Sequence, residues 1–267
     1  MIRESVCKIN LGLNIVGRRA DGYHNIETVM YPVCGLSDLI EIAPAKEFAF
    51  SQSGIYIDCD TERNLCVRAL RLMQERFDIG AAALHIHKRI PTGAGLGGGS
   101  ANGTTVLKMC NEIWRLALSD DKLTELAAEL GSDTPFFVRN IPQFARGRGE
   151  ILSDFPLSLA GYWLLLIKPD VGVSTKEAYE GVTPKTPEIP ILQILQQPPV
   201  NWRDRLANDF ESSVFAKLPL LAQIKEQMYG SGAHYAAMSG SGSTIFGLFA
   251  SEPTIASQYF YHKELLR

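Results

Sequence analysis

Five glycines fall within seven residues of the run Pro91-Thr92-Gly93-Ala94-Gly95-Leu96-Gly97-Gly98-Gly99-Ser100-Ala101-Asn102. Without a Cβ, such a backbone enters positive-φ conformations and lets a ligand approach the main chain. A strand-like segment, 83–90, precedes the run, and a helix-period stripe of Val106, Leu107, Cys110, Ile113, Trp114 and Ala117 follows it. A glycine loop that opens into a helix offers unpaired N–H groups and the positive end of the helix dipole to an anion, so the chemistry first indicated is phosphate binding. A plain glycine-rich turn is the alternative, but so many glycines weaken folding unless the geometry demands them.

Spacing separates the kinds of phosphate loop. A P-loop needs Gly-Lys-Ser/Thr at its end, and no lysine follows these glycines. Gly93, Gly95 and Gly98 satisfy G-x-G-x-x-G, but a dinucleotide fold also needs an acid at the end of a second strand about 20 residues on. Asp120 and Asp121 lie near that distance, yet Ser119 through Leu126 reads as the capped start of a helix. A protein-kinase reading lacks both the V-A-I-K strand and the H-R-D loop.

Other residues carry chemistry by type. Asp133 sits between Leu130-Gly131 and the apolar run Thr134-Pro135-Phe136-Phe137, where a carboxylate gains nothing from burial unless it is paired. Its spacing fits a general base or a local hydrogen-bonder at a helix end equally well. Lys8 lies in an apolar strand, Val6 to Leu13, and a lysine there ordinarily faces solvent. Ser100 can offer an oxygen to Mg²⁺ or a phosphate, or can cap the helix. Tyr23-His24 by itself reads as the flank of an Asp-Gly turn, and Tyr179 alone as a core or surface aromatic. His85 and His87 alternate on one strand face without a third ligand and read as a solvated face. Arg146 and Arg148 can steer anions, although surface arginines are ordinarily just solvated.

The full string P-x-G-x-G-L-G-G-G-S-A-N is similar to the ATP loop of the GHMP kinases, a family of small-molecule kinases. The resemblance runs in order from residue 5 to about residue 250. It takes in Cys7-Lys8-Ile9-Asn10-Leu11, Arg18 to Val29 with its Asp21-Gly22-Tyr23-His24 core, Leu130 to Phe137, and Phe144 to Glu150. It continues through Val173 to Tyr179, Asn208-Asp209-Phe210-Glu211 and Met238 to Ser243. These segments resemble the branch of the family that acts on a cytidine-diphosphate-linked methylerythritol in non-mevalonate isoprenoid synthesis. Cys7 stands where that branch usually has Ala, Thr134 where it has Val, and the C-terminal tail is short. None of these departures removes a chemical group that phosphoryl transfer needs.

The resemblance implies an α+β, two-lobed GHMP fold. An N-terminal ribosomal-protein-S5-like domain would cover 1–155 and a C-terminal ferredoxin-like domain 156–267, with ATP and acceptor in the cleft between lobes. It implies Asp133 as catalytic base and Lys8 as its partner, orienting the acceptor hydroxyl or its phosphate. ATP would lie on Pro91, Gly93, Gly95, Leu96, Gly97, Gly98, Gly99, Ser100 and Ala101, with Ser100 as the Mg²⁺ candidate. Asn10, Tyr23, His24, Thr175, Tyr179, Gly240 and Ser241 would hold the acceptor. His24 would meet the cytosine edge, and Tyr23 and Tyr179 could stack on either side. Other acceptors within the family (a sugar, homoserine or mevalonate), a ligand-sensing regulator that has lost catalysis, and an RNA-binding role are the competing readings. An intact Lys8, Asp133 and glycine loop argue against the sensor.

The elements that must position these groups are legible as short runs. Strands are expected at 2–16, 26–43, 82–90, 161–167, 235–238 and 244–249, with helices at 62–77, 101–117, 119–130, 203–216 and 219–229. The Pro-rich stretch 183–200 reads as a surface connection. The chain has 267 residues, is 46% hydrophobic and carries a net charge of −3, which suits one large or two modest globular domains and argues against a generic nucleic-acid surface. Five scattered cysteines without metal spacing read as reduced, mostly buried thiols. No signal-peptide core opens the sequence, and the most apolar run, 163–167, is too short to span a bilayer, so a cytoplasmic protein, monomeric or weakly dimeric, is expected.

Overall fold

The computed structural model describes residues 1–267. In chain order the elements are β1 (Ile2–Arg18), β2 (His24–Pro44), β3 (Ala49–Gly54), α1 (Leu65–Phe77), β4 (Ala82–Lys88), α2 (Gly98–Ile113), α3 (Asp120–Leu130), α4 (Phe136–Arg139), β5 (Gln143–Gly147) and β6 (Ile151–Asp154). They continue with β7 (Trp163–Lys168), α5 (Thr175–Glu180), α6 (Ile191–Leu195), α7 (Glu211–Lys217), α8 (Pro219–Gly230), β8 (Tyr235–Met238), β9 (Ile245–Phe249) and β10 (Phe260–Leu265). Two compact units form. One comprises Met1–Lys8, Cys34–Thr92 and Gly97–Ile141; the other comprises Ile9–Val33, Gly93–Leu96 and Pro142–Arg267.

In the first unit, β3 pairs parallel with β4, and β4 pairs antiparallel with the second half of β2 through Leu39↔His87 to Pro44↔Ala82. Helices α1, α2 and α3 lay their apolar faces on this sheet. Ile40, Ile42, Leu70, Met73, Leu84, Ile86, Val106, Leu107, Leu123 and Leu126 form one continuous buried cluster. The alternation of β4 accounts for it: Ala82, Leu84 and Ile86 turn inward, while His85 and His87 hydrogen-bond Ser51 and Ser53 on the exposed face. Asn64 caps α1 by accepting from the Cys66 N–H, and Ser119 caps α3 by accepting from the Lys122 N–H.

In the second unit, the first half of β2 pairs antiparallel with β5, which pairs with β6. A four-stranded antiparallel sheet runs β10-β7-β9-β8. Its strands β7, β8 and β9 are apolar on both faces, so the sheet is covered on both sides. Leu165, Ile167, Phe210, Val214, Leu221, Ile224, Met228, Met238 and Ile245 build the core there.

Three expectations need correction. Helix α2 begins at Gly98 and ends at Ile113, where 101–117 was expected; its early start takes two glycines into the first turn, and Arg115 and Ala117 adopt positive φ beyond its end. No single helix covers 203–216. Residues 207–209 instead pair with Leu13, whose N–H donates to Ala207 O while Asp209 N–H donates to Leu13 O, so the helix starts only at Glu211. The Pro-rich stretch is not merely a surface connection, because it carries α6, which buries Ile191, Ile194 and Leu195. The thiols are mostly buried, as expected: Cys7, Cys66 and Cys110 lie inside, Cys34 and Cys59 are exposed, and all five are free.

Candidate active site

Within the first unit, β1 carries Lys8 and the turn after α3 carries Asp133. The Lys8 side chain is 3% exposed, so the solvent-facing alternative does not hold; its Nζ stands 3.5 Å from Asp133 Oδ2. The Asp133 side chain keeps 35% exposure, so one partner is buried and the other open to an incoming group. Gly97 lies on the lysine stem. A Cβ at Gly97 would stand 3.1 Å from Lys8 Cε and 2.9 Å from the Phe137 ring, and its φ of +69° is a conformation that side chains rarely adopt. Glycine is therefore required where the loop meets the lysine.

Gly97 is also the N-cap of α2, with no side-chain cap, and the first helical hydrogen bond there runs from Ala101 N–H to Gly97 O. The N–H groups of Gly98, Gly99 and Ser100 thus have no acceptor within the helix. Ser100 occupies the first turn and not the N-cap, so its hydroxyl is not used for capping. Leu96 and Ala101 are buried and anchor the loop to the body of the protein. Two threonines hold the turn that carries Asp133, one of them from this helix. Thr104 Oγ1 donates to Thr134 O at 2.7 Å, and Thr134 Oγ1 donates to Gly131 O at 2.9 Å. The hydroxyl of Thr134 thus closes the turn that presents Asp133.

Asn102 is 2% exposed, and its Oδ1 has no hydrogen-bond partner.

The second unit assembles the remaining residues. A Cβ on Gly95 (φ +73°) would run into Ser239 O. Ser239 Oγ donates to Gly95 O at 2.9 Å and accepts from the Asn10 N–H at 3.3 Å. Asn10 Nδ2 donates to Thr28 Oγ1, and a Cβ built on Gly240 would stand 3.3 Å from Asn10 Oδ1. Asn208 Nδ2 donates to the carbonyls of Met238 and Gly240, fixing the Ser239–Ser243 turn. Thr175 and Ser241 join through their hydroxyls at 3.3 Å. Asn10, Gly95, Thr175, Gly240 and Ser241 are thus parts of one polar surround. Pro91 is half-buried and Gly93 exposed.

The aromatic residues divide. His24 stacks on Tyr179 with ring centroids 4.8 Å apart and planes 14° apart, and Tyr179 meets Phe210 edge-on. Tyr23 is exposed and lies under the Arg148 guanidinium, 5.1 Å from its ring centre. The Tyr23 N–H donates to Asp21 Oδ1, whose carboxylate Arg19 also holds. Burial, with the nearby Arg18 charge, keeps the His24 imidazole below its ordinary 6.5. The ring is therefore neutral at pH 7, with one donor and one acceptor nitrogen. No group of three or more His, Cys, Asp or Glu could hold a metal ion, and no helix is long and apolar enough to cross a membrane.

Comparison with known proteins bears on the same residues. The GHMP kinases N terminal domain profile matches residues 64–140, which include the glycine loop and Asp133, and the GHMP kinases C terminal profile matches 194–263. A 4-diphosphocytidyl-2-C-methyl-D-erythritol kinase of Parabacteroides distasonis is 48% identical over 247 residues, 92% of this chain and 90% of that protein. The kinase of the same name from Bacteroides thetaiotaomicron is 48% identical over 259 residues, 96% of this chain and 94% of that one. A crystal structure of 4-(cytidine 5'-diphospho)-2C-methyl-D-erythritol kinase superposes with a TM-score of 0.80 at 33% identity, covering 93% of this chain and 90% of that one. With both halves matched and relatives aligned along nearly its whole length, the chain belongs to the GHMP kinases, and within them to the 4-diphosphocytidyl-2-C-methyl-D-erythritol kinase family.

Proposed function

We propose that the protein transfers the γ-phosphoryl group of ATP to the 2-hydroxyl of 4-diphosphocytidyl-2-C-methyl-D-erythritol. The observation that carries this reading is the buried Lys8 beside the half-exposed Asp133, with Gly97 of the phosphate loop packed on the lysine stem. Phosphoryl transfer asks a protein for positioning and charge stabilisation more than for covalent chemistry. Asp133 accepts the acceptor's hydroxyl proton as the new O–P bond forms. The bond from the γ-phosphorus to the bridging oxygen breaks, and ADP leaves with the electron pair. Lys8 orients the carboxylate and faces the charge that builds on the transferring group.

The N–H groups of Gly98, Gly99 and Ser100, left without helical acceptors, suit the oxygens of a triphosphate, on a loop whose Gly95 and Gly97 have no room for a Cβ. Pro91, Gly93, Leu96 and Ala101 complete the run that would follow the nucleotide. A magnesium ion would supply charge neutralisation, with the Ser100 hydroxyl as its protein ligand; the lack of a dedicated carboxylate cage suits an ion held chiefly by phosphates. Tyr23, His24 and Tyr179 would receive the cytosine, the neutral His24 meeting its hydrogen-bonding edge. Asn10, Thr175, Gly240 and Ser241 would hold the polyol and its diphosphate.

ADP release in the presence of Mg²⁺ and ATP tests the reading, with the cytidine-linked polyol, free methylerythritol phosphate, galactose, homoserine and mevalonate run side by side. Turnover of the cytidine-linked acceptor alone is expected. Turnover of another acceptor would retain the kinase chemistry but remove Tyr23, His24 and Tyr179 from cytosine recognition.

A further inference from the structure

A second ion pair lies deeper than Lys8–Asp133 and takes no part in the chemistry above. Asp38 of β2 is 0% exposed and Lys88, the last residue of β4, is 3% exposed; Lys88 Nζ donates to Asp38 Oδ2 at 2.5 Å. The other carboxylate oxygen, Oδ1, accepts from two successive main-chain donors, Arg89 N–H at 2.7 Å and Ile90 N–H at 2.8 Å. Two consecutive amides aimed at one oxygen cannot continue a strand ladder, whose donors alternate in direction. The carboxylate therefore turns the chain out of β4 where the glycine loop begins.

The same pair reaches the far end of the loop. A Cβ built on Gly98, the first residue of α2, would stand 3.1 Å from Lys88 Nζ and 3.0 Å from Ile90 Cγ2. Pro91 to Gly97 thus leave from amides held by Asp38 and return onto the ammonium that Asp38 holds. A buried ion pair is a poor source of net stability, since well-packed apolar residues of similar volume often do as well or better. Both ends of a ligand loop meeting on one such pair point to geometry as its role.

We propose that Asp38 and Lys88 are positioning residues for nucleotide binding: the pair clamps the two ends of the glycine loop and so sets the aim of the first-turn N–H groups of α2. This rests on the nucleotide reading given above. The test is the paired replacement Asp38→Asn with Lys88→Met, which removes both charges together and leaves no lone buried ion. Three readouts apply: thermal melting, titration with a fluorescent ATP analogue in Mg²⁺, and steady-state kinetics in which each substrate is varied.

Misaimed phosphate donors should weaken analogue binding by about tenfold or more and raise the KM for ATP in parallel. The KM for the polyol should stay within about twofold. A folded double variant with analogue affinity and ATP KM within about twofold of the parent would overturn the proposal, leaving the pair a structural feature only. Gly98→Ala keeps both charges but presses a methyl onto the ammonium, so it decides the matter if the double variant does not fold. Its methyl also crowds Ile90, so melting is read beside binding, and where the variant is folded it should bind the analogue at least about fivefold more weakly. Unchanged binding in that variant would count equally against the clamp. If the parent itself fails to bind the analogue, the nucleotide reading and the clamp fall together.

Discussion

Lys8 and Asp133 differ sharply in burial. The lysine is fixed in the core of β1, whereas the carboxylate, 3.5 Å away, keeps a third of its surface open. Asp133→Asn preserves shape but not proton acceptance, so kcat should fall by roughly 10²–10⁴ with melting unchanged, as single-turnover and thermal assays would show. His24 carries a pH dependence. Its folded value lies below the ordinary 6.5, first through burial and then through Arg18. The unfolded chain therefore takes up a proton first as pH falls. The stability that His24 contributes is complete above 6.5 and is lost as pH falls from there to its folded value. Binding has the same sense, because a protonated ring loses its acceptor. The KM for the cytidine substrate should be flat above neutrality and rise on acidification in the parent, with the acid limb missing in His24→Gln.

The glycine loop was the most legible element because its geometry can be built from few other residues. Gly95 and Gly97 adopt positive φ against Ser239 and against Lys8 with Phe137. Alanine at either position should cost roughly 1–2 kcal/mol of strain on backbone grounds alone and abolish tight nucleotide binding, as melting and analogue titration would show. The start of α2 was misread since propensity disfavours the two glycines of its first turn, and tertiary contact with Ile90 and Leu65 overrides that preference. The missing helix at 203–216 has another cause. Its sequence is compatible with a helix until Asn208 and Asp209 are engaged elsewhere. Asn208 bonds Met238 O and Gly240 O and accepts from the Phe210 N–H, and Asp209 accepts from the Ile15 N–H. Pairings across such sequence distances leave no local periodicity to read. Asn208→Ala removes three bonds of a buried amide and should destabilise the protein by about 3 kcal/mol in denaturant melts.

At the scale of the whole molecule, each unit has its own core, and the thiols report on them. Burial pushes Cys110 up to about 12 and raises Cys66 as well, while Cys34 and Cys59 are exposed. A disulfide-exchange reagent should modify two thiols quickly in the folded protein and all five after denaturation. Function was legible further than topology. The motif residues are dense and ordered, so the loop could be marked from type and order, whereas Lys8 and Asp133 needed the family resemblance; the comparisons support the family. Asp38 and Lys88 went unmarked because an acid and a lysine fifty residues apart show nothing in sequence of the loop whose ends they hold. The most direct test of the account is a single-turnover reaction with γ-labelled ATP and the cytidine-linked polyol, run on the parent and on folded Asp133→Asn. The label should move to the 2-hydroxyl of the acceptor with release of one ADP in the parent, and stay on bound ATP in the variant. Equal transfer by both proteins, or label arriving only in free phosphate, would contradict the assignment of Asp133 and Lys8 to phosphoryl transfer.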